Sequence, residues 1–146
     1  MKRITMAFAA VLVGCSNPLE IDVVPVDVTG DPVVSPSAPG EFRVSVENHG
    51  TREVAWGMGS SACQLDLAVV LDDRRVPIGN RVCTADVRVH ALEPGGSLTE
   101  TIPWGGQILV DNQLETLPAG RYRVVGLAGD RAVSPAIWVE VDEEEE

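Results

Sequence analysis

Apolar and polar positions alternate with a period of two along most of this chain. That period marks strands, because successive side chains of a strand point to opposite faces of a sheet. The clearest case is Glu41-Phe42-Arg43-Val44-Ser45-Val46-Glu47. It sets Phe42, Val44 and Val46 on one face and turns Arg43, Ser45 and Glu47 to water. Residues 63–71 repeat the pattern with Leu65, Leu67, Val69 and Leu71. Further strands are expected over 20–28, 52–56, 74–78, 86–92, 97–104, 121–127 and 132–141. Pro25 points to an edge or a kink in the first of these. Leu98, Ile102 and Trp104 are the apolar anchors of 97–104. No stretch of ten or more residues shows a capped helical period.

Turn and loop residues separate these segments. Residues 29–40 read as a connecting loop, and Asn48-His49-Gly50 as a turn. Residues 57–61 read as a flexible loop, Asp72-Asp73 and Glu93-Pro94-Gly95-Gly96 as turns, 105–118 as a longer loop, and Gly129-Asp130 as the last turn. About eight short strands at regular spacing predict an all-β, antiparallel β-sandwich.

The N-terminus breaks the alternation. Met1-Lys2-Arg3 is basic, and 4–14 is uncharged, mostly apolar and too short to span a bilayer. Leu12-Val13-Gly14-Cys15 resembles the lipobox of bacterial lipoproteins. The resemblance implies cleavage before Cys15, a diacylglyceryl thioether on its thiol, and acylation of the new amino terminus by a fatty acid such as palmitate. The alternative is an ordinary signal peptide followed by a chance cysteine. Ser16 stands where inner-membrane retention signals of such lipoproteins use Asp, which implies the outer membrane, with the domain facing the periplasm. The expected layout is a signal peptide over 1–14, a tether over 15–19, a sandwich over 20–141 and a solvated acidic tail over 142–146.

Charge narrows the partners. Without Lys2 and Arg3, nine arginines face 22 acids, a net charge of −13. Nucleic acid needs clustered cations, so this balance argues against it, and against lying flat on anionic lipid. Membrane contact is expected through the lipid on Cys15. Cys63 and Cys83 remain, and an even pair in an exported chain reads as a disulfide. A three-residue turn centred on Asp73 places Leu71 opposite Arg75 and, extended, residue 63 opposite residue 83. Closing that loop contributes roughly 3 kcal/mol in the chain-entropy model.

Candidate chemistry is sparse. Ser60 and Ser61 invite a nucleophile reading, but neither fits the Gly-x-Ser-x-Gly elbow. No lysine remains after cleavage, and His49 and His90 are isolated. Trp56, Trp104 and Trp138 are expected in the core. Neither a cofactor nor a metal site is expected: the two thiols lack zinc spacing, and five adjacent tail carboxylates do not preform a calcium site.

Tyr122, just after Leu117-Pro118-Ala119-Gly120-Arg121, sits where immunoglobulin-like domains carry a tyrosine corner. The plainer reading is a half-buried aromatic. Over residues 42–127 the chain resembles BsuPI-type, intracellular proteinase inhibitor-like, immunoglobulin-like domains. The shared features are Val44-Ser45-Val46-Glu47-Asn48, Gln64-Leu65-Asp66-Leu67-Ala68-Val69, Leu92-Glu93-Pro94-Gly95-Gly96-Ser97, Trp104-Gly105-Gly106, and the segment from Leu117 to Tyr122. The resemblance implies an immunoglobulin-like fold and a non-enzymatic binding module. The chain departs from it in carrying an export signal and in having the Cys83 segment where an aromatic-rich strand belongs, so no inhibitory contact carries over. The leading expectation is a lipid-anchored envelope module that binds another protein. A periplasmic proteinase inhibitor is the alternative, with 57–62 or 105–117 as its loop, and a small serine hydrolase ranks last.

Replacing Cys15 by Ala is expected to release soluble protein or to stall unprocessed precursor. Membrane fractionation checks this: a Cys15→Ala variant that stays in the outer membrane at the processed mass contradicts the lipobox.

Overall fold

The computed structural model describes residues 24–143. The expected signal over 1–14, the expected tether over 15–19 with Cys15 and Ser16, residues 20–23 and the tail residues 144–146 lie outside the described residues. Within them, in chain order, are β1 (Val26–Gly30), β2 (Val33–Val34), β3 (Gly40–Glu47), β4 (Val54–Gly59), β5 (Asp66–Leu71) and β6 (Arg74–Pro77). Then follow β7 (Arg88–Leu92), β8 (Ser97–Trp104), β9 (Gln107–Val110), β10 (Gln113–Thr116), β11 (Gly120–Ala128), β12 (Ala132–Val133) and β13 (Ile137–Val141).

One sheet has the order β1-β3-β8, and the other β2-β13-β11-β5-β6 with β12 attached to β11. The pairs β4–β7 and β9–β10 form separate ribbons. Every pairing between strands is antiparallel except β2–β13. The expected all-β sandwich is present.

Alternation explains the core. Val26 and Val28 of β1, Phe42, Val44 and Val46 of β3, and Ile102 and Trp104 of β8 are buried. Leu67 and Val69 of β5, Val124 of β11, and Val139 and Val141 of β13 are buried with them in the same cluster. Phe42 meets Trp104 edge to face, with centroids 5.7 Å apart. The sheets approach closely at Gly126, where an added Cβ would lie 2.8 Å from a Val44 methyl. Tyr122 donates its hydroxyl to Pro118 O at 2.7 Å, the local bond of a tyrosine corner.

Several expected boundaries shift. Thirteen strands replace about eight. The 29–40 loop contains the end of β1 and β2, which adds an edge strand beside β13. Residues 57–59 belong to β4 and are not a flexible loop. The 105–118 loop is itself a hairpin, β9–β10, turned by Asp111 and Asn112 at φ 50 and 63. Asp72 and Asp73, at φ 47 and 60, make a two-residue turn of the same kind, so Leu71 pairs with Arg74 and not Arg75. Short polar side chains tolerate positive φ, and paired left-handed residues match the twist of the flanking strands.

β3 and β4 run into each other opposite β7 and β8, making one long bent ribbon. Glu47 pairs with Ser97, and Val54 with Leu92. Between those pairs one strand carries residues 48–53 and the other only 93–96. The mismatch makes a corner, and buried Asn48 fills it. Its backbone N–H donates to Gly96 O at 2.9 Å, and its carbonyl accepts from Gly95 N at 2.8 Å. Its side-chain amide donates to Arg52 O at 2.8 Å and Leu92 O at 2.9 Å, and its Oδ1 accepts from Gly50 N at 3.0 Å.

Asn48→Ala is expected to cost about 2 kcal/mol or more, because two carbonyls lose their donor in a buried corner. Asn48→Asp should cost more at neutral pH, since it aims a carboxylate at those carbonyls. Urea unfolding midpoints test the order; equal stability of all three proteins refutes this role for the corner.

Candidate functional site

Glu100 sits on the inner face of β8, in phase with Leu98, Ile102 and Trp104. A carboxylate there needs a partner, because desolvating an unpaired charge costs several kcal/mol. Arg81 supplies it. Its Nη2 lies 2.6 Å from Glu100 Oε2, and its Nη1 bonds both the Asp66 carboxylate and Leu65 O. Glu100 Oε1 also accepts from Gln64 N at 2.8 Å. The two charged side chains are only 15% and 13% exposed. This ion pair pins the irregular segment between β6 and β7 against the sandwich.

Two residues on, Cys83 is disulfide-bonded to Cys63, with Cα atoms 5.6 Å apart. The pairing matches expectation but the setting does not. Strand pairing between β5 and β6 stops at Ala68 and Pro77, and Ile78 bridges to Ile108 instead. The disulfide therefore joins two irregular segments beyond the hairpin. Val82 stands between the two anchored residues and is 93% exposed.

A third clamp is polar. Thr84 Oγ1 donates to the Asp86 carboxylate, and Ser61 N donates to the same oxygen at 3.2 Å. The Ser60 hydroxyl bonds Thr84 Oγ1 at 2.7 Å and accepts from Ala62 N at 3.1 Å. Arg88 Nε lies 3.3 Å from Asp86 Oδ2. The Thr84 hydroxyl above all, then Ser61 and the Arg88 charge, hold the Asp86 carboxyl well below the usual carboxylate range, against a small opposing effect of burial.

The result is a stapled end of the sandwich, where β4 finishes and β7 begins. Met58 faces Val89 directly across that ribbon. Val87, two residues before Val89, and Val82 complete a set of exposed apolar side chains.

Sequence-expected residues scatter. His90 is buried, its Nε2 donates to the Ser60 backbone carbonyl at 3.0 Å, and its ring packs against Trp56. Ser60 and His90 are thus neighbours, but the imidazole faces a carbonyl while the hydroxyl faces Thr84. His49 is exposed at the Asn48 corner, 3.0 Å from Glu47. Trp104 is buried and donates to Gln107 O at 2.7 Å; Trp56 is half-buried and donates to Gln64 O at 2.8 Å. Trp138 departs from the core expectation: it is 53% exposed, because its place on β13 is in phase with outward Glu140. Among the described residues no three metal-ligating side chains cluster. The Arg81–Glu100 pair is absent from the sequence expectations. Its signal was a charge in step with three apolar anchors.

Because the folded Asp86 pKa is lowered, the clamp's contribution is fully present above the ordinary carboxylate range and is lost as pH falls through the folded value. Carboxyl NMR titration is expected to show Asp86 still ionised where exposed carboxylates have protonated. Thr84→Ala should move its midpoint up. An ordinary midpoint in the unmutated protein contradicts the clamp.

No protein-family model matches this chain, and no curated protein does. Among solved structures, it is similar to a β-glucosidase from Listeria innocua in complex with gluconolactone, at 14% identity and a TM-score of 0.45. The likeness covers 82% of this chain but only 16% of the enzyme's.

Proposed function

We propose that this chain is a lipid-anchored module of the cell envelope that binds another protein, without catalysis, through its stapled end. The observation that carries the reading is the group Met58, Val82, Val87 and Val89, exposed on an end held by an ion pair, a disulfide and the Asp86 hydrogen bonds. Apolar side chains on a rigid frame lose little conformational entropy on binding, so more of their burial remains as affinity. The arrangement around Ser60 and His90 supports a binding role, since the imidazole meets the Ser60 carbonyl and not its hydroxyl.

In this reading Cys15 carries the lipid in the outer membrane and the domain faces the periplasm. Residues 15–23 reach at most about 30 Å from the anchor to Val24. The charge of −13 keeps the domain off anionic headgroups and leaves its apolar end for protein.

A proteinase inhibitor is the second reading, favoured by Val82. Its neighbours Arg81 and Cys83 are both tied down, so the exposed residue is offered between fixed points. A proteinase cleft would find a bait that cannot move away.

A photo-crosslinking residue at position 82 or 89 of the native envelope protein is expected to give a discrete protein adduct. The same probe at exposed Gln113, on the β9–β10 ribbon, should give none. Val87→Asp should abolish the adduct at 89 while the protein stays folded. An adduct that is a proteinase, blocked in activity and freed by Val82→Asp, selects the second reading. Equal labelling from all three positions defeats both.

A further inference from the structure

The outer face of the six-stranded sheet carries chemistry that the stapled end does not use. One row of directly opposed residues runs Trp138, Arg123, Val70, Arg75 across β13, β11, β5 and β6. The adjacent row sets Val33 against Glu140 and Glu140 against Arg121. Residues directly opposed in a sheet share a face. The row on the other side of Trp138 and Arg123, made of Ile137, Val124, Val69 and Val76, points inward, with Val124 and Val69 fully buried. Trp138, Arg121, Arg123 and Arg75 therefore stand on the outside together.

Their contacts hold them in place without consuming them. Arg121 lies over the Trp138 ring, 4.9 Å from its centroid. Arg75 donates to Asp130 O at 3.1 Å, and Arg123 lies 3.3 Å from Asp73. Asp73 lies against Arg123, and Glu140 stands opposite Arg121 in the strand register. Each guanidinium carries five donors, so most of them still face solvent. Strand spacing puts Trp138 and Arg123 about 5 Å apart and Arg123 and Arg75 about 10 Å apart along the row. Three of the nine arginines left after cleavage line up here, on a chain whose charge is otherwise strongly negative.

We propose that this face binds an acidic polysaccharide, with a sugar ring laid on Trp138 and sugar carboxylates on Arg123 and Arg75. An exposed indole offers a flat apolar surface to the C–H face of a pyranose. A guanidinium fork matches a carboxylate with two parallel hydrogen bonds. Trp138, Arg123 and Arg75 are exposed along the row, as a linear chain of charged sugars requires, while Ala68 and Val125, further along the same face, are buried. Other anions fit worse. Duplex DNA carries a charge every ~1.7 Å, far denser than these three cations can answer. A lipid surface calls for clusters of about 4–8 basic residues. An acidic peptide would leave the indole without a partner.

The test uses the full-length protein in affinity electrophoresis with polygalacturonate, dextran sulfate or neutral dextran in the gel, at about 0.1 M salt, where surface charges beyond ~10 Å are screened. Polygalacturonate is expected to retard the protein and neutral dextran to leave it unmoved. Trp138→Ala, and separately Arg75→Gln with Arg123→Gln, should each weaken binding by roughly tenfold or more. Val82→Asp should leave it unchanged, which separates this face from the stapled end. Retardation by dextran sulfate alone assigns the site to sulfated chains and overturns the carboxylate ligand. No retardation in any gel, or retardation indifferent to Trp138→Ala, overturns the proposal.

Discussion

The carboxylate of Glu100 on the inner face of β8 is the constraint around which this molecule is arranged. An apolar residue in its place would need nothing further from the chain. A charge there needs a cation and further hydrogen bonds: Arg81, from beyond the β5–β6 hairpin, supplies the first, and Gln64 N one of the second. Once Arg81 is drawn in, the segment up to β7 has little choice of path. Cys83 comes beside Cys63, Thr84 and Asp86 close onto the Ser60 turn, and Val82 is left facing water. Buried ion pairs contribute little net stability, because desolvation offsets their attraction. Their effect is on alternatives: any arrangement that strands Glu100 leaves a largely enclosed carboxylate without its cation, which is costly.

Asn48 plays the matching part at the corner where β3 and β8 give way to β4 and β7. The two strands differ in length across the corner, so backbone groups there cannot find one another in a regular ladder. One side chain with two donors and one acceptor supplies the missing bonds. Glu100 and Asn48 thus do polar work beside a mostly apolar core. Between them they set how β4 and β7 leave the main sheets, and therefore where the stapled end lies.

The molecule presents two unlike surfaces. The stapled end is apolar and stiff. The outer face of the large sheet is a row of guanidiniums beside an indole, and the strands beneath it hold the row in register. In the proposed reading, a chain held at one point of a membrane uses both at once, because the two contacts draw on separate residues.

The strands were legible from sequence wherever one face is buried and the other is wet. Phe42, Val44 and Val46, or Leu65, Leu67 and Val69, can satisfy their pattern in only one way. The disulfide partners were legible from the cysteine count and the export expected from residues 1–15, and Tyr122 from its place after Pro118 and Gly120. What sequence left open depends on contacts between distant segments. The loop from 105 to 118 became a hairpin because Asp111 and Asn112 adopt left-handed backbone angles that any polar loop residue could also decline. Residues 57–59 became strand because β7 was available to pair with them. Trp138 faces out because the registers of β13 and β11 place it opposite Arg123, and an isolated Ile-Trp-Val run does not say which face meets the core. Alternation along a strand is a local property and is written in the sequence. Which strands meet, in what register, and which charge answers Glu100 are decided only when the sheets close on each other.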